Sequence, residues 1–279
     1  MIFSFLGISD VLALEICGDL KQGELVLIKN IEAEKVVFSN GDKSNEYNVG
    51  SDKTLLMALH RNAPRKAELH LYSSKTSDFN YELNILPTKW SVQRVNGVSQ
   101  HKVLPQSSHQ KEIEREQKDV NKALSVYSDY DFWREEFMEP IKGGRINGYF
   151  GYQRIFNGIP KNPHNGTDIA ATEGTEVHAA GSGRVILSGK DYFYTGNMVI
   201  IDHGAGLQTI YAHLQKSIVA VGDMVKKGDI IGYVGKTGRA TGPHLHWGAS
   251  LNGIRFRPHS LLNINEKGCK TLHNKDGGE

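Results

Sequence analysis

The sequence predicts a mainly β protein: a C-terminal antiparallel β domain, a small N-terminal β-sandwich and a helical linker between them. Three observations carry this. Apolar residues alternate or cluster in short runs along most of the chain, separated by turn-forming residues. The chain has 30 glycines, most of them after Gly143, as a loop-rich β structure with many tight turns requires. Residues 111–137 run without glycine or proline, and apolar residues there take helical spacing.

Bulk properties narrow the class. A chain of 279 residues with 39% hydrophobic content is long enough for two domains of roughly 100–150 residues. A formal net charge of +2 gives no reason to expect nucleic acid. An isoelectric point near 8.4 is compatible with an anionic polymer such as a cell wall. No apolar run approaches ~20 residues, so no transmembrane span is predicted. Cys17 and Cys269 lie near opposite ends and lack Cys-x-x-Cys spacing. They read as two isolated thiols rather than a bridge tying the termini.

In chain order, residues 1–17 are open to two readings, a degenerate signal segment or a first strand over Val11–Ile16. Met1–Leu14 is apolar, but it has no Lys or Arg, and Asp10 interrupts it. Residues 18–100 read as the β-sandwich-like domain. Strands are expected at 24–28, 35–38, 54–59, 67–72 and 80–85, with turns at 40–42, 49–51 and 73–77. Its histidines, His60 and His70, stand alone and have no catalytic company. Residues 101–141 read as a linker with a charged helix. Ile113, Val120, Ala123, Leu124 and Tyr127 predict a helix over Glu112–Tyr127, with continuation through Phe132 and Trp133 before Pro140 and Gly143-Gly144 stop it.

From 142 to 265 the pattern is β again. Strands are expected at 174–178, 183–187, 197–202, 207–212, 229–234 and 244–251, with His203-Gly204-Ala205-Gly206 as a hairpin turn. Leu261–Ile264 closes the domain, and 266–279 reads as a polar tail without a core pattern.

The chemistry-bearing residues lie in this second β region. His244 and His246 form a His-x-His on a strand, which places both rings on one face about 6–7 Å apart. Upstream stand His164 and Asp168. If the five residues were extended, their Cα atoms would be about 13 Å apart, too far for ligands ~2 Å from one zinc. The backbone must therefore bend, and Asn165-Gly166 suits a bend. Hydrolytic zinc sites use three protein ligands and leave a fourth position for water. His164, Asp168 and one of the His-x-His pair would fill three positions. The spare imidazole, with His213, would then act as general base and oxyanion stabiliser. Spacing alone does not say which of the pair is the ligand. No His-Glu-x-x-His motif supplies a carboxylate base. His178 reads as a core or edge residue and His203 as a turn residue. Gly235-Lys-Thr-Gly238 lacks the phosphate-loop pattern and reads as tight turns near the site.

Several motifs then follow one another in order: His164-x-Gly-x-Asp168, Val199-Ile-Ile-Asp-His-Gly204, Tyr211-Ala-His-Leu214, Val221-Gly-Asp-x-Val-x-x-Gly228 and Thr241-Gly-Pro-His-Leu-His246. From about Gly143 to Leu262 the chain resembles the lysostaphin-type (LytM-like) zinc metallopeptidases. The resemblance implies a lysostaphin-like antiparallel β fold with a groove across the sheet. It implies one Zn2+ per chain held by His164, Asp168 and His246, with His213 and His244 as the catalytic imidazoles. It also implies peptide-bond cleavage in bacterial peptidoglycan at a periplasmic or otherwise extracytoplasmic location. All five positions are filled. Relatives lacking some of them act as silent activators of other hydrolases, which is the alternative function. Residues 152–163 (YQRIFNGIPKNP) resemble a run in members from Gram-negative bacteria. That favours a stem peptide containing diaminopimelate over a pentaglycine bridge. The segment is either a surface loop or a shaper of the groove.

Overall fold

The computed structural model describes residues 13–40, 43–74, 78–264 and 268–273. The signal-segment reading, the centre of the 40–42 turn, part of the 73–77 turn and most of the polar tail lie outside these residues.

The N-terminal part contains β1 (Leu14–Cys17), β2 (Leu25–Lys29), β3 (Lys35–Asn40), β4 (Lys43–Asn48), β5 (Leu55–Ala58), β6 (Lys66–Tyr72), β7 (Phe79–Asn84) and β8 (Val92–Val95). Helices α1 (Gln100–Val103) and α2 (Gln110–Leu124) follow. The C-terminal part contains β9 (Arg145–Gly148), β10 (Gln153–Phe156), β11 (Ile159–Pro160), β12 (Thr167–Ala170), β13 (Glu176–His178), β14 (Gly183–Tyr192), β15 (Gly196–Gly204) and β16 (Leu207–Ser217). It continues with β17 (Met224–Val225), β18 (Ile230–Val234), β19 (His244–Leu251) and β20 (Ile254–Phe256), and β21 (Lys270–Leu272) ends the described chain.

Two four-stranded antiparallel sheets, β21-β1-β2-β5 and β4-β3-β6-β7, face each other. Between them they bury Ile16, Val26, Ile28 and Met57 from the first, and Val36, Phe38, Leu69, Tyr81 and Leu83 from the second. The second sheet shows the alternation of a half-buried strand: in β6, Ala67, Leu69 and Leu71 are buried, whereas Lys66, Glu68 and Tyr72 are exposed. The first sheet is apolar on both faces because both are covered. Leu25, Leu27, Leu56 and Ala58 turn away from the sandwich and join Leu207, Leu251, Phe256 and Leu261 of the C-terminal part in one core. The runs Leu25-Val-Leu-Ile and Leu55-Leu-Met-Ala are therefore continuous rather than alternating.

The C-terminal part is built on a ten-stranded sheet with the path β17-β14-β15-β16-β19-β12-β9. One face carries Ile169, Val199, Ile201, Tyr211, Leu245, Trp247 and Ala249 into the main core. On the other face, Ala123 and Leu124 of α2 cover Met198, Ile200, Ile210 and Ala212. The helix thus leaves the end of this face bearing His244, His246 and Asp168 free for other use. A third sheet ties the two parts together, since β8 pairs in parallel with β10, Val92–Val95 against Gln153–Phe156.

Several expectations are corrected. Cys17 and Cys269 form a disulfide across a sequence separation of 252 residues. The tail is not structureless throughout, because β21 pairs with β1 beside that bridge. α2 begins two residues early and ends at Leu124 instead of Tyr127. The next residues are claimed by the sheet: Gln208 Nε2 donates to the Val126 carbonyl at 2.9 Å, the Ala205 N–H to Ser128 O at 2.9 Å, and Ser128 Oγ to Asp202 at 2.6 Å. Phe132–Arg134 makes only a 3-10 turn. His203 does not order a turn. It lies inside β15, fully buried, with Nδ1 2.7 Å from Ser182 O and Nε2 2.7 Å from Thr209 Oγ1. Burial pushes its pKa down to about 4. The turn itself is Ala205-Gly206, both at positive φ.

The disulfide closes a very long loop in the unfolded chain, so its removal loosens the denatured state most. Replacing Cys17 and Cys269 by Ser is expected to lower stability by about 2–5 kcal/mol. Urea unfolding of the variant against the oxidised and reduced wild type measures this.

Candidate active site

Register brings the site together. In β12 and β19, Asp168 stands opposite His246 and Ala170 opposite His244, so the carboxylate and both imidazoles share a sheet face. His213 follows Ala212 on β16, and Ala212 is the register partner of His246. Strict alternation would send His213 to the main-core face with Tyr211. A bulge prevents this: between Asn197 and Val199, β15 advances two residues while β16 runs from Leu214 to Tyr211. His213 sits in this bulge at φ 63°, a left-handed conformation that a non-glycine residue rarely takes. The twist turns its ring onto the His244 face, with ring centroids 4.7 Å apart. The centroid separation to His246 is 6.1 Å.

His164 precedes β12, and the chain bends at Gly166 before entering it. The glycine is needed for close approach. A Cβ there would lie 2.6 Å from His246 Nε2 and from the Trp247 carbonyl oxygen. Gly148 on β9 plays the same part for the carboxylate, since a Cβ would meet Asp168 Oδ2 at 2.7 Å.

Three donor atoms form a nearly equilateral triangle. His164 Nε2 is 3.0 Å from His246 Nδ1 and 3.0 Å from Asp168 Oδ1, which is 2.9 Å from His246 Nδ1. All three residues are buried. Ligands about 2.0–2.1 Å from a tetrahedral zinc lie about 3.3–3.4 Å apart, within a few tenths of an ångström of this triangle. The donor set of two imidazole nitrogens and one carboxylate oxygen fits such an ion.

Backbone carbonyls set the tautomers. His164 Nδ1 is 3.0 Å from Tyr149 O, His213 Nδ1 2.8 Å from Thr237 O, and His244 Nδ1 2.8 Å from Gly242 O. A carbonyl only accepts, so each Nδ1 carries the hydrogen and each neutral ring has its lone pair at Nε2. His244 Nε2 lies 3.9 Å from Asp168 Oδ1, beside the triangle. Burial lowers the pKa of His164, and lowers that of His246 to about 4. Burial also holds His213 well below the imidazole range, reinforced by His244 and His246. Burial alone would raise Asp168. Its neighbours His164 and His246 and the Arg154 guanidinium outweigh it, so the carboxyl is held well below its usual range. The result is neutral His164 and His246 beside an anionic carboxylate, the protonation state that metal ligation requires.

All five sequence-derived residues meet here. Sequence reasoning missed Arg154, whose guanidinium ion-pairs with Asp168 Oδ2. It lies in the Tyr-Gln-Arg-Ile-Phe-Asn-Gly run, which is no surface loop but β10, paired with β8 on one side and β11 on the other. The run itself was the available signal, but spacing from Asp168 did not reveal the contact.

Residues 162–258 match peptidase family M23. This segment is an M23 peptidase domain. It is similar to the DD-carboxypeptidase/endopeptidase Mpg of Neisseria meningitidis, 42% identical over 124 residues, covering 44% of this chain and 28% of that protein. It is 44% identical over 103 residues to the peptidoglycan DD-endopeptidase ShyA of Vibrio cholerae, covering 37% and 23%. The chain thus spans about a quarter of the length of these curated relatives. A crystal structure from Pseudomonas aeruginosa, described as a candidate M23 peptidase, superimposes with a TM-score of 0.66 at 25% identity, covering 89% of this chain and 97% of that one.

Arg154 neutralises the carboxylate oxygen that faces away from the triangle. Arg154→Met should weaken metal affinity about 10- to 100-fold, the effect of removing a partner behind a ligand. Competition with a chromophoric chelator measures it, with circular dichroism checking the fold.

Proposed function

We propose that the chain is a zinc-dependent endopeptidase that hydrolyses peptide bonds in peptidoglycan stem peptides or cross-links. The observation that carries this is the buried triangle of His164, Asp168 and His246 with two more imidazoles beside it, each anchored at Nδ1 by a backbone carbonyl. His164 Nε2, Asp168 Oδ1 and His246 Nδ1 would hold the zinc. A bound zinc would polarise the scissile carbonyl and acidify a water to a pKa near ~7.

The protein's own groups do the rest. Neither imidazole beside the triangle can donate from Nε2 while neutral, because Nδ1 keeps its hydrogen on a backbone carbonyl. One must therefore carry a second proton to donate a hydrogen bond to the oxyanion, while the other accepts the water proton. His244 suits the donor role: it is less buried than His213 and its Nε2 approaches the Asp168 carboxylate. His213, enclosed and held neutral, is the acceptor, and its Nε2 then returns the proton to the leaving amine.

The peptidoglycan substrate rests on the names of the M23 relatives, several of which are peptidoglycan DD-endopeptidases. An extracytoplasmic location follows from that substrate and agrees with the Cys17–Cys269 disulfide, which persists in an oxidising compartment. Among the described residues no helix is long and apolar enough to cross a membrane. The silent-activator alternative would need no catalytic imidazoles, yet both are present with their tautomers set.

Metal analysis combined with digestion of purified peptidoglycan and mass spectrometry of the fragments tests this. About one zinc per chain with newly split cross-links or released stem peptides is the expected result. Zinc-loaded protein that leaves both wall and stem peptides intact would sink the reading.

Two variants divide the roles. His246→Ala should lose metal and activity together. His213→Asn, in which Asn tolerates the left-handed backbone, should keep the metal and lose about 10²–10⁴-fold in kcat. Full turnover of metal-loaded His213→Asn would remove His213 from the mechanism.

A further inference from the structure

The loop from Gly235 to Pro243 joins β18 to β19 and closes on itself, since Gly235 bridges His244 and its carbonyl accepts the His244 N–H at 3.1 Å. It also carries the two carbonyls, Thr237 O and Gly242 O, that orient His213 and His244. Between them stands Arg239. Its N–H donates to Tyr194 O at 2.9 Å, next to the Thr195 carbonyl that accepts the His213 N–H at 2.9 Å. The Arg239 guanidinium lies 4.4 Å from the Tyr194 ring centroid and 4.9 Å from that of Phe156.

Several other arginines have partners. Arg154 pairs with Asp168, Arg257 with Glu24, Arg134 with Asp52, and Arg61 donates to Gly151 O at 2.6 Å. Arg239 has no side-chain hydrogen bond or ion pair among the described residues. Its charged neighbours include Arg154 and Lys102, but Arg154 is held by Asp168 and Lys102 faces Glu112 and Glu116. The half-buried Arg239 guanidinium has no carboxylate partner of its own, and contact with two rings offsets only part of that. The rings lie against the guanidinium, and its N–H groups make no side-chain hydrogen bond among the described residues, so they can grip a carboxylate through two parallel hydrogen bonds.

We propose that Arg239 is the recognition group for a free carboxylate of the substrate peptide. This rests on the endopeptidase reading. Because the same loop holds His213 and His244, a carboxylate seated on Arg239 fixes the peptide relative to both imidazoles. A diaminopimelate-containing stem offers two such groups, its C-terminal carboxylate and the second carboxylate of the diamino acid.

The test uses the zinc-loaded protein and three synthetic cross-linked stem peptides: one with both carboxylates free, one amidated at the C-terminus and one amidated at the diamino acid. Wild type should cut the free peptide about 10- to 100-fold better in kcat/KM than one of the amides, the worth of a charge-assisted pair, and which amide fails names the source. Arg239→Gln should narrow that ratio towards one with zinc content retained, and Arg239→Lys should keep part of it. Equal kcat/KM on all three peptides in wild type overturns the proposal. So does an Arg239→Gln variant that binds zinc and keeps the full ratio. If zinc-loaded wild type cuts none of them, the endopeptidase reading falls, and this one with it.

Discussion

Everything at this site depends on keeping the Asp168 carboxylate buried and charged. An isolated carboxylate in an apolar interior would take up a proton. Here each oxygen has its own neutralising partners: Oδ1 faces His164 and His246, and Oδ2 faces Arg154. The anion favours charged imidazoles beside it, but burial outweighs this and keeps His164, His246 and His213 neutral. Remove Arg154 and the balance shifts at Asp168, His164 and His246.

The sheet supplies the geometry this balance needs. Cross-strand register sets Asp168 opposite His246, and two glycines on neighbouring segments let the groups approach closer than any side chain would allow. Two departures from regular β structure shape the cluster: the bulge at His213 and the register shift between Asp168 and Ile169 against β9. The N-terminal part adds support from outside. The Trp90 ring packs on Gly151, where a Cβ would come within 2.1 Å of it, and Arg61 donates to the Gly151 carbonyl. The Gly151 N–H in turn donates to His164 O at 2.8 Å, and neighbouring Tyr149 supplies the carbonyl that orients the His164 ring. Through β8, the same part also pairs with the strand that carries Arg154. These contacts give the N-terminal sheets a positioning role at the site.

Much of this was legible in the chain. The His-x-His on a strand, the bend demanded between His164 and Asp168 and the third imidazole at His213 are local patterns, and the motif order around them resembles one family. What escaped was set by tertiary partners. Arg154 contacts Asp168 only because β10 is held between β8 and β11, and no spacing rule links the two residues. The Cys17–Cys269 bridge depends on β1 and β21 meeting at a sheet edge, 252 residues apart in sequence. β4 and β8 are too polar for a hydrophobic pattern to mark, and they pair because their neighbours present open edges. α2 stops at Leu124 because the sheet captures the backbone of Val126 and Ser128, not because a breaker stands there.

The loop between β18 and β19 shows how the fold couples recognition to chemistry. Orienting two imidazoles requires two fixed carbonyls, and a fixed carbonyl requires a loop that cannot slide. Gly235 bridging His244 closes the loop, and Thr237 Oγ1 bonding Leu214 O at 2.7 Å pins it to β16. Gly238, at φ 72°, lets the chain turn so tightly that a Cβ there would lie 2.4 Å from the Gly196 nitrogen. A loop under these constraints holds its backbone, and so the root of any side chain it carries, in a fixed place relative to His213 and His244. An arginine rooted there, with two rings against its guanidinium, is a ruler between a substrate charge and the atoms that move the proton. The same rigidity argues against a mobile lid on this side of the groove. Specificity here is built from preset distances, and the glycines and carbonyls of this one loop set them.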